Sequence, residues 1–268
     1  MFHKVVRPRH VVVLVAALVA LAIPLAPWNS VHKVTAHPAA TIVALGDSIT
    51  YGSEHGGRRA GAPWPAELAR RLRQRIRVVD AGIPGNTVGR VPTCRWCGAP
   101  AIVRLDADAL AVPGIRTLIV LEGINDTMRR GGSAAEIIAG LRQIAARARR
   151  RGVRVIAGTL LPDAAYRAHT AARERMRQAV NRWLRTTRVF DAVIDFDRVM
   201  RDPADPLRLN PAYDSGDGLH PNARGYRAMG DAVPLILLRP VLRTSSLASA
   251  GAFAPRLLAP LGDKLIGK

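Results

Sequence analysis

From residue 41 onward, short apolar runs that stop at glycine alternate with stretches of helical spacing. Thr41 to Leu45, Arg77 to Ala81, Ile115 to Leu121 and Val153 to Ala157 each read as a buried strand, and each runs into Gly46, Gly82, Glu122-Gly123 or Gly158. Phe190 to Phe196 reads as a fifth strand. Between the strands, Leu68, Leu72 and Ile76 recur on one face of a helix predicted over 65–76. A Gly/Pro-rich loop runs to about Pro100, and a short helix follows to Ala109. Ile137, Ile138, Leu141, Ile144 and Ala145 form the apolar stripe of the next helix, with Ser133 as its N-cap and Glu136 three residues on as a capping box. Ala168 to Thr186 predicts a second long helix. A proline-containing loop then leads to Leu219, and Pro221 suits the first turn of a last helix. Strands alternating with helices predict an α/β fold, a parallel sheet with helices on both faces. Ligands of such sheets sit beyond the carboxyl ends of the strands.

The two ends of the chain depart from this pattern. Lys4, Arg7 and Arg9 precede an unbroken apolar run from Val11 to Ile23, 13 residues long, closed by Pro24 and Pro27. A signal-peptide core needs about 7–15 residues and a membrane span about 20. Residues 1–36 are therefore read as a signal peptide or N-terminal membrane anchor. The expected location is secreted or periplasmic, or tethered to the membrane by this segment. A buried helix of the domain is the weaker reading, because the run has no polar face. Residues 37–239 form the expected folded domain, and residues 240–268 a C-terminal extension without a strong pattern.

Composition changes this picture little. The formal charge is +20, carried by 40 basic against 20 acidic residues, and only Lys4, Lys33, Lys264 and Lys268 are lysines. Such a charge fits a polyanion or an anionic membrane surface. The arginines, however, are spread over helical stretches (Arg142, Arg147, Arg149, Arg150, Arg151; Arg173, Arg175, Arg177, Arg182, Arg185), which reads as solvated helix faces rather than one basic arm. Aromatics are 4% of the chain, too few for a platform that stacks single-stranded bases. No specific nucleic-acid partner is expected. The two cysteines, Cys94 and Cys97, cannot make a four-cysteine zinc site and have no nearby His pair. In an exported chain they read as a small disulfide that stiffens a loop, with free thiols the alternative.

Four segments carry chemistry: Gly46-Asp47-Ser48, Gly82-Ile83-Pro84-Gly85-Asn86, Gly123-Ile124-Asn125-Asp126, and Asp217-Gly218-Leu219-His220-Pro221. Singly, each has an ordinary structural role as a turn or a cap. Jointly, the first three lie at strand ends on one sheet edge, and the long loop can bring the fourth there. A serine hydroxyl needs a base to take its proton. An imidazole, whose ordinary pKa is about 6.5, can do so near neutrality. Asp217, three residues before His220, can fix the required tautomer. Attack on an ester carbonyl creates an oxyanion, and the N–H groups of Ser48 and Gly85 with the Asn125 side-chain amide would supply three donors.

These four blocks resemble those of the SGNH hydrolases, the GDSL esterase/lipase family, over about Thr41 to Val233. The likeness is strongest to the branch with Gly-x-Asn-Asp and, here at Asp214 to Pro221, Asp-Ser-Gly-Asp-x-Leu-His-Pro. The resemblance implies a flavodoxin-like three-layer α/β/α sandwich with a five-stranded parallel sheet, no metal or other cofactor, and ester hydrolysis through an acyl-enzyme. It implies Ser48 as nucleophile, Asp217 and His220 as its partners, and Gly85 and Asn125 in the oxyanion hole. The first block continues in Ile-Thr instead of the eponymous leucine. The Cys94–Cys97 loop and the basic tail lie outside what the resemblance explains. The chain lacks the Gly-x-Ser-x-Gly elbow of the α/β-hydrolases. The expected substrate is a small-molecule, glycan or lipid ester. Acyl transfer to a sugar, deacetylation of glycans and simple polyanion binding are the alternatives. Loops 53–63, 86–100 and 197–216 are expected to shape the substrate site, and Trp64 and Trp96 are read equally as lining residues or as packing residues.

Overall fold

The computed structural model describes residues 40–238 apart from 58, 60, 74, 92, 93, 129 and 130. The expected signal or anchor and the C-terminal extension lie outside the described residues. Five strands, β1 (Thr41–Gly46), β2 (Arg77–Gly82), β3 (Ile115–Leu121), β4 (Arg154–Gly158) and β5 (Ala192–Ile194), form one parallel sheet in the order β2-β1-β3-β4-β5. This is the flavodoxin-like order, in which the chain reverses direction across the sheet between β1 and β3. Every residue of β1 is buried, as expected for a central strand covered on both faces.

The helices are α1 (Ser48–Tyr51), α2 (Trp64–Arg71), α3 (Ala101–Leu105, continuing as a π-turn over Asp106–Leu110), α4 (Ile124–Thr127), α5 (Ala134–Arg150), α6 (Ala171–Thr186), α7 (Phe196–Met200) and α8 (Ala223–Ala232). Helix α8 packs against α2 and α7, while α5 packs against α3 and α6. The capping box that opens α5 is formed: the Ser133 hydroxyl accepts from the Glu136 N–H and the Glu136 carboxylate accepts from the Ser133 N–H, each at 3.2 Å. Among the described residues no helix is long and apolar enough to cross a membrane.

Several boundaries differ from the sequence reading. Helix α2 stops at Arg71 rather than continuing to 76, because the chain turns at Leu72 and Arg73 takes a left-handed φ of 52°. The fifth strand is only Ala192–Ile194. The Asp195 side chain accepts from the Arg198 N–H and starts α7, so the buried Phe196 belongs to a helix. Helix α6 starts at Ala171 behind the Thr170 cap, and α8 starts at Ala223 behind the Asn222 cap, two residues after Pro221.

The view of the arginines as solvated faces also needs correction. Arg173 and Arg177 are buried. Arg173 donates to Asp163 at 2.8 Å, and Arg177 donates to Asp197 at 2.6 Å, to Glu174 at 2.8 Å and to the Leu160 carbonyl at 3.1 Å. These bonds tie α6 to the chain leaving β4. Of the two readings of Trp64, the structure bears out packing: it is fully buried with its ring 5.6 Å from that of Phe196. Trp96 is 77% exposed.

Candidate active site

The turn after β1 places Ser48 at the first position of α1. Asp47 precedes it as the N-cap, its carboxylate accepting from the Ile49 N–H at 2.8 Å. At this first helical position the Ser48 N–H has no intrahelical acceptor. Gly46 makes the tight approach possible: a Cβ there would collide with the Thr50 side chain and lie 2.6 Å from the Leu121 carbonyl oxygen.

The loop before α8 brings Asp217 and His220 to the same place. Asp214 organises it, one carboxylate oxygen accepting from the N–H groups of Gly216 at 2.9 Å and Gly218 at 3.1 Å. Asp217 then accepts the backbone N–H groups of Leu219 at 3.0 Å and His220 at 2.8 Å through Oδ1. Its Oδ2 lies 2.7 Å from His220 Nδ1, and His220 Nε2 lies 3.0 Å from Ser48 Oγ. Ser48 and His220 are 172 positions apart in sequence, and their meeting is the spatial condition for the chemistry described above. Burial by itself would raise the Asp217 carboxyl. The hydrogen bonds from the His220 ring and backbone, together with the ring's charge, outweigh burial and hold it at about 2.

Gly85 and Asn125 come to the same edge. Gly85 has a left-handed φ of 75°. The space beside its Cα is filled from within the fold. A Cβ would overlap the Cys97 sulfur and lie 3.2 Å from that of Cys94. The two cysteines are paired as a disulfide, with Cα atoms 5.5 Å apart. The Asn125 side-chain nitrogen donates to the Asn86 carbonyl at 2.9 Å. An amide NH2 has two hydrogens, so one remains to point elsewhere.

Behind these groups lies a buried ionic cluster that the sequence reading missed. Arg104, 6% exposed, donates to the carbonyls of Gly46 at 2.9 Å and Ala81 at 2.8 Å, and to Asn86 Oδ1 at 2.9 Å. It lies 3.5 Å from Glu122 and also pairs with Asp108 at 3.1 Å. One side chain thus joins the ends of β1 and β2, the loop after β2 and the end of β3. Burial, and then the neighbouring Asp47 charge, push the Glu122 carboxyl well above the usual carboxylate range. Burial likewise raises Asp47, against the pull of the Ile49 N–H. Asp126 accepts from the Val88 N–H at 3.0 Å and fixes the far end of the Gly85–Asn86 loop. A lone arginine in a short helix between apolar positions is the available signal for Arg104, and by itself it looks like any surface arginine.

A cavity of about 600 Å³ lined by His55, Tyr166, Arg167 and Asp214 abuts Asp217 and Gly218. Another of about 320 Å³, lined by Arg90, Ile102, Glu136 and Gln143, abuts Asp126. Among the described residues, Asp163, His169 and Glu174 bring potential metal-ligand atoms within 4.8 Å of one another. Asp163 is already paired with Arg173 and Glu174 with Arg177, so cations the chain itself supplies occupy these carboxylates.

With this geometry in view, residues 44–228 match the GDSL-like lipase/acylhydrolase family. No curated protein matches the chain. Similar solved structures include a carbohydrate acetylesterase family member from Sinorhizobium meliloti, 21% identical over 77% of this chain and 98% of that one, with a TM-score of 0.61. The native aryl esterase of M. smegmatis is 17% identical over 75% and 99% of the two chains, with a TM-score of 0.62. A GDSL-like lipase from Bacteroides thetaiotaomicron is 18% identical over 75% and 89%, with a TM-score of 0.57. At these identities the structural likeness speaks to the fold.

Proposed function

The chain belongs to the GDSL-like lipase/acylhydrolase family of ester hydrolases, and from that premise we propose that Ser48 is its nucleophile, His220 the base and Asp217 the group that orients the base. The observation that carries this reading is the continuous line from Asp217 Oδ2 to His220 Nδ1 at 2.7 Å and from Nε2 to Ser48 Oγ at 3.0 Å. Ser48 Oγ attacks the ester carbonyl carbon while its proton passes to His220 Nε2. The ionised Asp217 stabilises the resulting imidazolium through Nδ1–H. The N–H groups of Ser48 and Gly85 and the second Asn125 amide hydrogen receive the carbonyl oxygen as it becomes negative. Collapse expels the alcohol, which takes the proton from Nε2 and leaves the acyl group on Oγ. Water repeats the sequence, giving up a proton to Nε2. The carboxylic acid departs and Oγ recovers that proton.

Ser48→Ala tests the assignment. Turnover of a short-chain aryl ester should fall about 10³-fold or more. Turnover like that of the wild type would end it.

A second reading concerns the substrate: removal of acetyl groups from a glycan. It is supported by the fold shared with the acetylesterase family member from Sinorhizobium meliloti and by the exposed Trp96 on the 86–100 loop. An aromatic ring can cover the apolar face of a sugar. Acetate release from an acetylated oligosaccharide, abolished by Ser48→Ala, is the expected result. We also read the run from Val11 to Ile23 as an export signal or anchor. The disulfide suits the oxidising compartment this reaches.

A further inference from the structure

We propose that the Cys94–Cys97 disulfide is a positioning element for the oxyanion donors, holding Gly85 directly and Asn125 through Asn86. The inference rests on the reading of Gly85 and Asn125 as those donors.

Two sets of contacts carry it. The first is at Gly85. Its left-handed φ of 75° turns the face that would bear a side chain toward the disulfide, and the sulfur of Cys97 fills the place a Cβ would take. The Gly85 backbone is thus seated on the bonded sulfur pair. The second set runs through Asn86, which is fully buried. Its side-chain nitrogen donates to the carbonyls of Cys97 at 2.6 Å and Ala99 at 2.9 Å. Its Oδ1 accepts from Arg104 at 2.9 Å, and its own carbonyl accepts from the Asn125 amide at 2.9 Å. The carbonyls of the cysteine loop therefore hold Asn86, and Asn86 holds Asn125. Gly98 adds a third support, with Ile83 packed 3.0 Å from where its Cβ would be.

A bond between cysteines three positions apart closes a very short loop, so it constrains the unfolded chain less than a long-range bridge does. Its location is the more informative property. Bonded sulfurs occupy less room than two thiols at van der Waals contact. Breaking the bond therefore asks for space where Gly85 sits and frees the carbonyl that Asn86 needs. Oxyanion donors act only if they are in place before charge develops. A displaced donor lowers turnover more than substrate binding, because the ground-state ester makes little use of it.

The test uses the full chain with its disulfide intact, then reduced, then reoxidised. A water-soluble phosphine takes oxygen from water to become its oxide, and each sulfur gains one hydrogen, giving two thiols per chain by titration. Reduction should lower kcat for an aryl ester about 10-fold or more, less than the about 10²–10³-fold expected for outright loss of one donor. KM should stay within about twofold, circular dichroism should be unchanged, and reoxidation should restore kcat. The double variant Cys94→Ser with Cys97→Ser should reproduce the low kcat and resist reoxidation. A fully reduced, folded protein that keeps kcat within about twofold would overturn the proposal. So would a loss of activity that follows only the fraction of unfolded chain. If the oxidised protein neither hydrolyses esters nor reacts with a serine-directed fluorophosphonate, the assignment of Ser48 fails first and this inference falls with it.

Discussion

Arg104→Met removes the guanidinium and keeps an unbranched apolar stem in its place. The change strips the donor from the carbonyls of Gly46 and Ala81 and from Asn86 Oδ1, and removes the cation 3.5 Å from Glu122. At 6% exposure, water has little access to replace it. Hydrogen bonds to charged groups contribute about 1.5–3 kcal/mol each, and removing one partner of a buried ion pair costs about 3–5 kcal/mol. These overlap, since one group makes them all, so the expected loss is about 3–5 kcal/mol. For a domain of this size each kcal/mol corresponds to about 2–4 °C in Tm, so Tm should fall by about 6–20 °C. The Glu122 carboxyl is already raised by burial, and without Arg104 it rises further. A carboxyl raised in the fold takes up a proton that the unfolded chain releases. Stability is therefore lost as pH climbs from the unfolded value toward the folded one. As pH rises above the ordinary carboxylate range, Arg104→Met should lose stability through this group. The double variant with Glu122→Gln should not. Urea unfolding followed by circular dichroism at pH 5, 6 and 7 measures both quantities. A single variant within about 1 kcal/mol of the wild type, or single and double variants with the same pH slope, would refute the reasoning.

Three other substitutions separate the roles of residues that look alike in sequence. Asp217→Asn keeps the shape but loses the charge facing Nδ1, and should lower kcat about 10³–10⁴-fold with KM changed only a few-fold in steady-state kinetics. Because this carboxyl is held at about 2, the stability it contributes is present above its ordinary value near 4 and is lost as pH falls toward 2. The variant should lack that acid limb in Tm measured against pH. Trp64→Ala empties a fully buried site against Phe196 and should cost about 3–5 kcal/mol in urea unfolding. Trp96→Ala, at a residue 77% exposed, should stay within about 0.5 kcal/mol.

The parts of the fold that local patterning controls were readable in the sequence. The span of β3, Ile115–Leu121, follows directly from its apolar run, and the capping box at Ser133 and Glu136 forms as its spacing requires. The meeting of Ser48, Asp217 and His220, which we propose as a triad, was readable because these residues sit in short blocks at the ends of strands and loops, and a parallel sheet brings distant loops together. What escaped notice depends on partners far along the chain. Phe196 continues an apolar run, and only the Asp195 cap turns it into a helix start. Arg177 looks like a surface residue of a basic helix until Asp197, 20 positions on, meets it. Arg104 is hidden for the same reason, since its acceptors come from three separate strand ends. The seat of Gly85 is hidden too, since the space beside its Cα is filled by cysteine sulfurs from a loop about ten positions on.

The most direct measurement is the site of reaction with a fluorophosphonate, read by mass spectrometry of the digested protein. One adduct per chain is expected, on the Ser48 hydroxyl, formed rapidly in the wild type and at least about 10²-fold more slowly in His220→Ala, with ester hydrolysis lost in step. An active protein that carries its adduct on another residue, or labelling of Ser48 at the same rate without His220, would contradict it.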